Sequence, residues 1–136
     1  MRFKVFAASV HGKKYRERGL PCQDSSSVLE FDGVQAIAVA DGHGGKDYFR
    51  SDTGARLAVK TAFNQIKIFC NSLTEEQRFS DSGIKNFEFK LWEEWLNAVE
   101  KHWRDNPVSD DEFRWQKVSD KYKACYASDE KYISEA

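Results

Sequence analysis

The sequence feature that most constrains the fold is a seven-residue, almost entirely apolar segment that ends in a glycine-rich loop. Val34–Ala40 reads VQAIAVA, and the loop DGHGG follows directly at positions 41–45. A run of this length and composition predicts a strand that is buried on both faces in the middle of a sheet. A simple turn needs only one or two glycines. The backbone of this loop is therefore either very tight or closely approached by another group.

Two other segments in the first half have strand character. Phe3–Val10 and Ser25–Phe31 mix β-branched, aromatic and small residues with rough alternation. Asp32-Gly33 separates Ser25–Phe31 from Val34–Ala40. Because both residue types tolerate positive φ, this dipeptide predicts a tight hairpin between the two strands.

The second half of the chain changes to a helical period. A first helix is predicted to begin with Ser51 or Asp52 as its N-cap, and the segment TEEQRFSDSG (74–83) after it is predicted to be a loop. A second helix is predicted to end at Asn106-Pro107, and a weaker third helix follows it. The apolar stripes of the three helices are Ala55, Ala58, Ala62, Ile66, Phe69 and Leu73; Phe87, Leu91, Trp95, Val99 and Trp103; and Phe113, Val118, Tyr122 and Cys125. The end of the chain (126–136) has weaker helical character and could be loop.

This order of elements predicts an α+β domain in which antiparallel strands are followed by two or three helices packed on one face of the sheet. A chain of 136 residues is enough for one such domain. Three strands make a thin sheet, and nothing obvious in the sequence covers its outer edge or its second face.

Composition excludes several classes of function. The formal net charge is only −1, which gives no electrostatic bias toward nucleic acid. No segment reaches the roughly 18 apolar residues of a membrane span, and the N-terminus does not resemble a signal peptide. The three cysteines, Cys22, Cys70 and Cys125, form no CxxC pair. This pattern favours ordinary thiols in a reducing cytoplasm over a disulfide framework or a zinc ribbon.

The glycine-rich loop is a candidate metal site. Asp41 follows a strand expected to be rigid, and Gly42 lets a main-chain carbonyl turn toward the same ion. If the hairpin forms, Asp24 lies at the same end of the sheet as Asp41. Mg²⁺ and Mn²⁺ prefer such oxygen ligands, and His43 could transfer a proton near neutral pH. A turn without any ligand role would also account for an isolated Asp-Gly pair.

The segments around this loop resemble a known family. VADGHGG, with PCQD before the adjacent strand and SDTGARLAV after the loop, is similar to the N-terminal part of metal-dependent protein phosphatases of the 2C type. The bacterial branch, in which a Gly-x-Pro-Cys-Gln-Asp segment begins the domain, is the closer match. The resemblance extends from about Ser9 to Val59.

The resemblance implies a fold of two antiparallel sheets between helical layers, with a pair of Mn²⁺ or Mg²⁺ ions at one end. It implies that Asp41 bridges both ions, that the Gly42 carbonyl binds one of them, and that Asp24 reaches metal directly or through water. It assigns His43 as the general acid for the leaving alcohol. The implied reaction is hydrolysis of phosphoserine or phosphothreonine in a phosphoprotein substrate by a metal-activated water.

The sequence departs from the family pattern near Asp24. Many members carry an acid where this chain has Gln23, although bacterial members also have glutamine there. Many also have a phosphate-binding arginine a few residues earlier. Arg16 and Arg18 lie near that position but out of the usual register. Arg18 is the candidate phosphate ligand, and the alternative is that both arginines are solvated loop residues.

The chain is also about half as long as the full family domain, whose remaining metal-binding aspartates come from its C-terminal half. We therefore expect residues 1–136 to be the N-terminal portion of such a domain and to be inactive or nearly so when isolated. An unfinished sheet would leave the chain open to self-association. The alternative hypothesis is a non-catalytic module of phosphatase ancestry that binds a protein partner through its helices.

Overall fold

A computed structural model describes residues 3–72 and 74–128 of the chain. The elements, in chain order, are α1 (Lys13–Glu17), β1 (Ser25–Phe31), β2 (Val34–Ala40), α2 (Ser51–Ser72), α3 (Glu75–Arg78), α4 (Asp81–Asp105), a 3₁₀ turn (Trp115–Lys117) and α5 (Asp120–Ser128). Two antiparallel strands are thus followed by helices, which confirms the predicted α+β class.

The predicted hairpin is present, and its turn fixes its register. Phe31 pairs with Val34, so only Asp32 and Gly33 lie between the strands. Their φ angles are 44° and 79°. Positive φ at both central residues matches the right-handed twist of the two strands. Pairing then continues in register to Ser25 opposite Ala40.

The sheet is covered on one face only, so the prediction that β2 is buried on both faces is wrong. Helix α2 packs against both strands of the hairpin. On the opposite face Ile37 and Val39 are 54% and 74% exposed. The described residues contain only this two-stranded sheet, and no helix or strand lies on its outer face, where Gln35 and Ser26 bond to the irregular segment 3–10. The predicted lack of a covering element for the second face is confirmed within these residues.

The strand predicted at Phe3–Val10 does not form. Phe3, Phe6 and Val10 are between 67% and 89% exposed. The segment is tied to the hairpin by two side-chain hydrogen bonds: Gln35 Nε2 donates to the Phe3 carbonyl at 2.8 Å, and the Ser9 and Ser26 hydroxyls are 2.7 Å apart. Without a backbone ladder to a neighbouring strand, alternation alone does not produce a strand.

Helix α2 begins one residue earlier than its predicted caps allow. The Arg50 carbonyl accepts hydrogen bonds from the amides of Thr53 and Gly54, so Arg50 holds the N-cap position. Ser51 is already helical, and its hydroxyl donates to the loop instead of capping the helix. The predicted stripe on this helix ends at Leu73, which lies outside the described residues.

Helix α4 packs on α2 and confirms the second predicted helix. Trp95 Nε1 donates to the Gly54 carbonyl at 3.1 Å and joins the two helices. The segment predicted to be a loop at 74–83 instead contains α3, which begins with a capping box between Thr74 and Gln77, and the start of α4, capped by the Ser80 hydroxyl. Such boxes satisfy two free amides at once and stabilise even a very short helix.

The C-terminal segment packs on the start of α2 through an aromatic cluster. Phe49, 4% exposed, has ring centroids 5.3–6.0 Å from those of Trp103, Trp115 and Tyr126. The third predicted helix is present only from Asp120, because the residues before it form the 3₁₀ turn. Residues 129–136, part of the predicted loop, lie outside the described residues.

Candidate functional site

The hairpin brings Asp24 and Asp41 to the same end of the sheet. Each residue lies one position beyond the terminal pair Ser25–Ala40. The Gly42 amide donates to Asp24 Oδ1 at 3.3 Å, which joins the two strand ends directly. Both carboxyl side chains are exposed. The sheet therefore presents two acids and the Gly42 peptide group to solvent at one rim.

Close approach of the preceding segment explains two of the glycines. A Cβ on Gly42 would lie 2.3 Å from the Gln23 carbonyl oxygen, and one on Gly44 would lie 2.6 Å from the Tyr15 hydroxyl. Real Cβ atoms essentially never approach a neighbour within 3.0 Å, so a side chain at either position requires a shift. At Gly42 the obstacle is backbone, so glycine is required there, whereas at Gly44 the Tyr15 side chain could move aside.

His43 is held by contacts on both its ring and its main chain. The imidazole stacks on Tyr48 with ring centroids 4.6 Å apart and an interplanar angle of 29°. The His43 carbonyl accepts a hydrogen bond from the buried Ser51 hydroxyl at 2.7 Å. The first residue of α2 therefore anchors the loop, while the imidazole itself remains exposed.

A cavity of about 390 Å³ lies between the loop, α2 and α4. Asp41, Gly42 and His43 line it together with His102. Sequence reasoning did not identify His102 as part of this region, although its spacing from Trp95 and Val99 places it on the same helical stripe. Burial lowers the pKa of His102, and the positive charges of Arg50 and Arg56 lower it further. His102 is therefore disposed to be neutral near pH 7.

Arg18 lies apart from the two acids. It follows the last residue of α1 and lines a second cavity, of about 480 Å³, together with Gln23 and Gly44. Gln23 and Gly44 adjoin Asp24 and His43 in the sequence, so residues of the same loop contribute to both cavities. The structure thus brings Asp24, Asp41 and Gly42 together and places Arg18 in the lining of the other cavity.

The donor set at the rim fits a hard divalent cation only in part. Mg²⁺ and Mn²⁺ take about six oxygen ligands, several of which can be water. Asp24, Asp41 and the Gly42 carbonyl are donors of the right kind. In residues 3–72 and 74–128, however, no group of three or more His, Cys, Asp or Glu side chains is arranged to hold a metal ion. A complete centre requires ligands in addition to these.

Comparison with known proteins identifies the family. The family model described as protein phosphatase 2C matches residues 11–134, which is most of the chain. Searches of curated proteins and of solved structures found no match. The matched region contains the hairpin, the glycine-rich loop and every helix described above. The chain belongs to the protein phosphatase 2C family.

Proposed function

We propose that this chain contributes part of the catalytic centre of a metal-dependent phosphatase that hydrolyses phosphoserine or phosphothreonine in proteins. The observation that carries the proposal is the rim of the hairpin, where Asp24 and Asp41 both lie one residue beyond the last strand pair and the Gly42 amide donates to Asp24 Oδ1 at 3.3 Å. A simple turn does not require two exposed carboxylates beside a backbone position, Gly42, that has no room for a side chain.

The proposed ligands are Asp24, Asp41 and the Gly42 carbonyl, with Mn²⁺ or Mg²⁺ as the ion. When bound, such ions supply an acidified water as nucleophile and offset negative charge on the phosphoryl group. His43 donates a proton to the oxygen of the departing alcohol. Its stack on Tyr48 and the Ser51 hydrogen bond to its carbonyl limit how far the ring can move.

Arg18 is proposed to hold the phosphate. Its guanidinium belongs to the chain segment that presses on the loop, close in sequence to Gln23 and Asp24. A guanidinium matches phosphate oxygens with two parallel donors, which makes it suited to orient a phosphorylated side chain. For Arg18 to take this role, a phosphate bound at Asp41 must also be within reach of the cavity that Arg18 lines.

We further propose that residues 1–136 correspond to the N-terminal portion of the phosphatase domain, and that the Gln23-Asp24 pair places it in the bacterial branch. The two converging acids and the uncovered sheet face support an incomplete centre. We expect the chain alone to release little or no phosphate from a phosphopeptide. The described helices include none long and apolar enough to cross a membrane. The free cysteines support a reducing, cytoplasmic compartment.

Calorimetric titration with Mn²⁺ tests the metal assignment. Asp41→Asn removes the central carboxylate without changing its shape. Asp32→Asn makes the same charge change at the opposite end of the hairpin, where asparagine tolerates the positive φ of 44°. We expect saturable binding to the wild type and to Asp32→Asn and loss of binding in Asp41→Asn. Equal binding by all three proteins, or no binding by any, would refute a metal site at this rim of the chain.

A non-catalytic interaction module is the second candidate, and the outer face of the sheet favours it. Ile37 and Val39 are exposed side by side with Val28, which is 36% exposed. Such a face is a candidate surface for association with a partner or with a second copy. Sedimentation of the wild type beside Ile37→Lys tests association through this face, and the Mn²⁺ titration then separates the two candidates. Association that is lost in the variant, together with no Mn²⁺ binding, would favour the module.

A further inference from the structure

The second cavity, of about 480 Å³, is strongly basic. Its lining comes from three separate parts of the chain: α1 with the segment after it (14–23), the end of the glycine-rich loop with the residues after it (44–49), and residues 114–117 at the 3₁₀ turn. Every charged side chain in that lining is positive. We call this set the basic pocket, and its members are Lys14, Arg18, Lys46, Arg114 and Lys117.

Among the described residues, only one of these five charges forms an ion pair, although Lys46 lies close enough to Asp47 to help lower the pKa of that carboxyl. Arg114 is paired with Asp52, its Nη1 atom lying 2.7 Å from Asp52 Oδ1. Lys117 Nζ lies 3.9 Å from the centroid of the Phe113 ring, a contact that leaves its charge in place. Across residues 3–72 and 74–128, no carboxylate forms an ion pair with Lys117 or with the other three cations of the basic pocket, Lys14, Arg18 and Lys46.

The four cations without an ion pair among the described residues are exposed, so their mutual repulsion is small, and an anion bound among them would gain from all four. Their convergence does not follow from a general excess of positive charge, because the chain has a net charge of −1. Positive groups on three chain segments around one cavity concentrate the potential in that cavity. The arrangement is therefore typical of a site for an anionic ligand.

The basic pocket shares a wall with the candidate active site. A Cβ on Gly44 would lie 2.6 Å from the Tyr15 hydroxyl and 3.2 Å from Gln23 Oε1, and both of those residues line the pocket. An extended peptide advances about 3.3 Å per residue. A peptide whose phosphorylated residue lies at Asp41 and whose chain runs past Gly44 would bring its next few side chains to the pocket.

We propose that the basic pocket binds acidic side chains that flank the phosphorylated residue of the substrate. The identity of the ligand as a substrate peptide rests on the proposed phosphatase function, whereas the preference for an acidic segment rests on the pocket alone. With Arg18 assigned to the phosphate, the ammonium groups of Lys14, Lys46 and Lys117 bind the peptide carboxylates. The substrates are thus phosphoproteins whose sites lie in acidic segments.

Fluorescence anisotropy with an unphosphorylated, labelled peptide tests the preference. One peptide carries aspartates around a central serine, and its counterpart carries asparagines at the same positions. We expect the wild type to bind the aspartate peptide at least about tenfold more tightly than the asparagine peptide. Binding of both peptides with equal affinity would overturn the proposal.

Two double variants then localise the binding. Lys46→Gln/Lys117→Gln removes two charges from the basic pocket. Lys60→Gln/Lys67→Gln removes two from exposed positions on α2 and is the matched control. Exposed ion pairs contribute up to about 1 kcal/mol each, so we expect the first double variant to bind the acidic peptide roughly tenfold more weakly and the control to bind like the wild type. An equal loss in both would show unspecific attraction and overturn the proposal.

Competition with inorganic phosphate separates a peptide site from a site for small anions. We expect millimolar phosphate to leave most of the labelled acidic peptide bound. Full displacement at that concentration would overturn an acidic-segment site. Since none of these measurements needs a metal or hydrolysis, the basic pocket can be confirmed where the Mn²⁺ titration fails, and it can fail where the titration succeeds.

Discussion

Gly42→Ala is the sharpest test of how the two acids are held together. A Cβ at position 42 would lie 2.3 Å from the Gln23 carbonyl oxygen, 3.0 Å from its carbonyl carbon and 3.2 Å from its Cβ. The nearest obstacle is backbone, so no side-chain rotation can relieve it. The φ of Gly42 is not positive, so alanine adds no conformational strain of its own. Alanine at such a φ stabilises by about 0.4–1 kcal/mol through the unfolded chain, so any net loss of stability is steric.

The expected magnitude follows from that geometry. Ordinary contact begins near 3.4 Å, so the two chain segments must separate, which stretches or breaks the 3.3 Å hydrogen bond from the Gly42 amide to Asp24. Insertion of a methyl group into a packed region costs about 1–3 kcal/mol. Because backbone must move here, we expect the free energy of unfolding to fall by about 2–3 kcal/mol.

Urea unfolding followed by circular dichroism measures this change, and Gly54→Ala is its control. A Cβ on Gly54 meets nothing within 4 Å, and the residue lies inside α2. Alanine is better than glycine in a helix by about 0.5–1 kcal/mol, so this variant should unfold at a higher urea concentration than the wild type. One added methyl group thus has opposite effects at the two glycines.

The reasoning is refuted if Gly42→Ala unfolds at the same urea midpoint as the wild type with an unchanged slope. That result would mean that Gln23 does not press on the loop and that the two acids are free to separate. Destabilisation by Gly54→Ala of similar size would instead show that the chain tolerates no substitution at glycine, and the steric argument for position 42 would lose its support.

Three further variants test the contacts around the loop. Arg50→Lys keeps the charge but cannot reproduce the paired bonds to Glu112, at 2.8 and 3.3 Å. Because the arginine side chain is only 11% exposed and a hydrogen bond to a charged group contributes about 1.5–3 kcal/mol, we expect a loss of about 1.5 kcal/mol in urea unfolding. No measurable change would contradict the buried pair. Ser51→Ala leaves the His43 carbonyl without its 2.7 Å donor and should cost about 1 kcal/mol; hydrogen exchange should rise in the loop and not in the hairpin turn. His102→Gln tests the pH dependence of stability. Folding lowers the pKa of His102, so the contribution of this residue to stability is complete above its unfolded pKa of about 6.5 and is lost as the pH falls below that value. The wild type should therefore lose more stability than the variant between about pH 7 and pH 5, and parallel pH profiles would refute this assignment.

The sequence by itself determined the hairpin and, through it, the meeting of the two acids. Asp32 and Gly33 are among the few residues that accept positive φ in succession, so the turn length and the register follow from local chemistry. Once Ser25 pairs with Ala40, Asp24 and Asp41 must lie at the same end. Helix α4 can likewise be predicted from its apolar repeat, because a helical period is read from neighbouring residues alone.

Only the tertiary structure decided which of these local tendencies were realised and what lies around the acids. Phe3–Val10 has the alternation of a strand but forms no backbone ladder. Ile37 and Val39 are apolar but exposed. Both outcomes depend on the presence of a neighbouring strand or layer and not on the segment itself. The Arg50–Glu112 pair and the basic pocket join residues far apart in the chain. Charge and spacing in a sequence cannot place such groups together, since their separation is set by how the helices pack against the sheet.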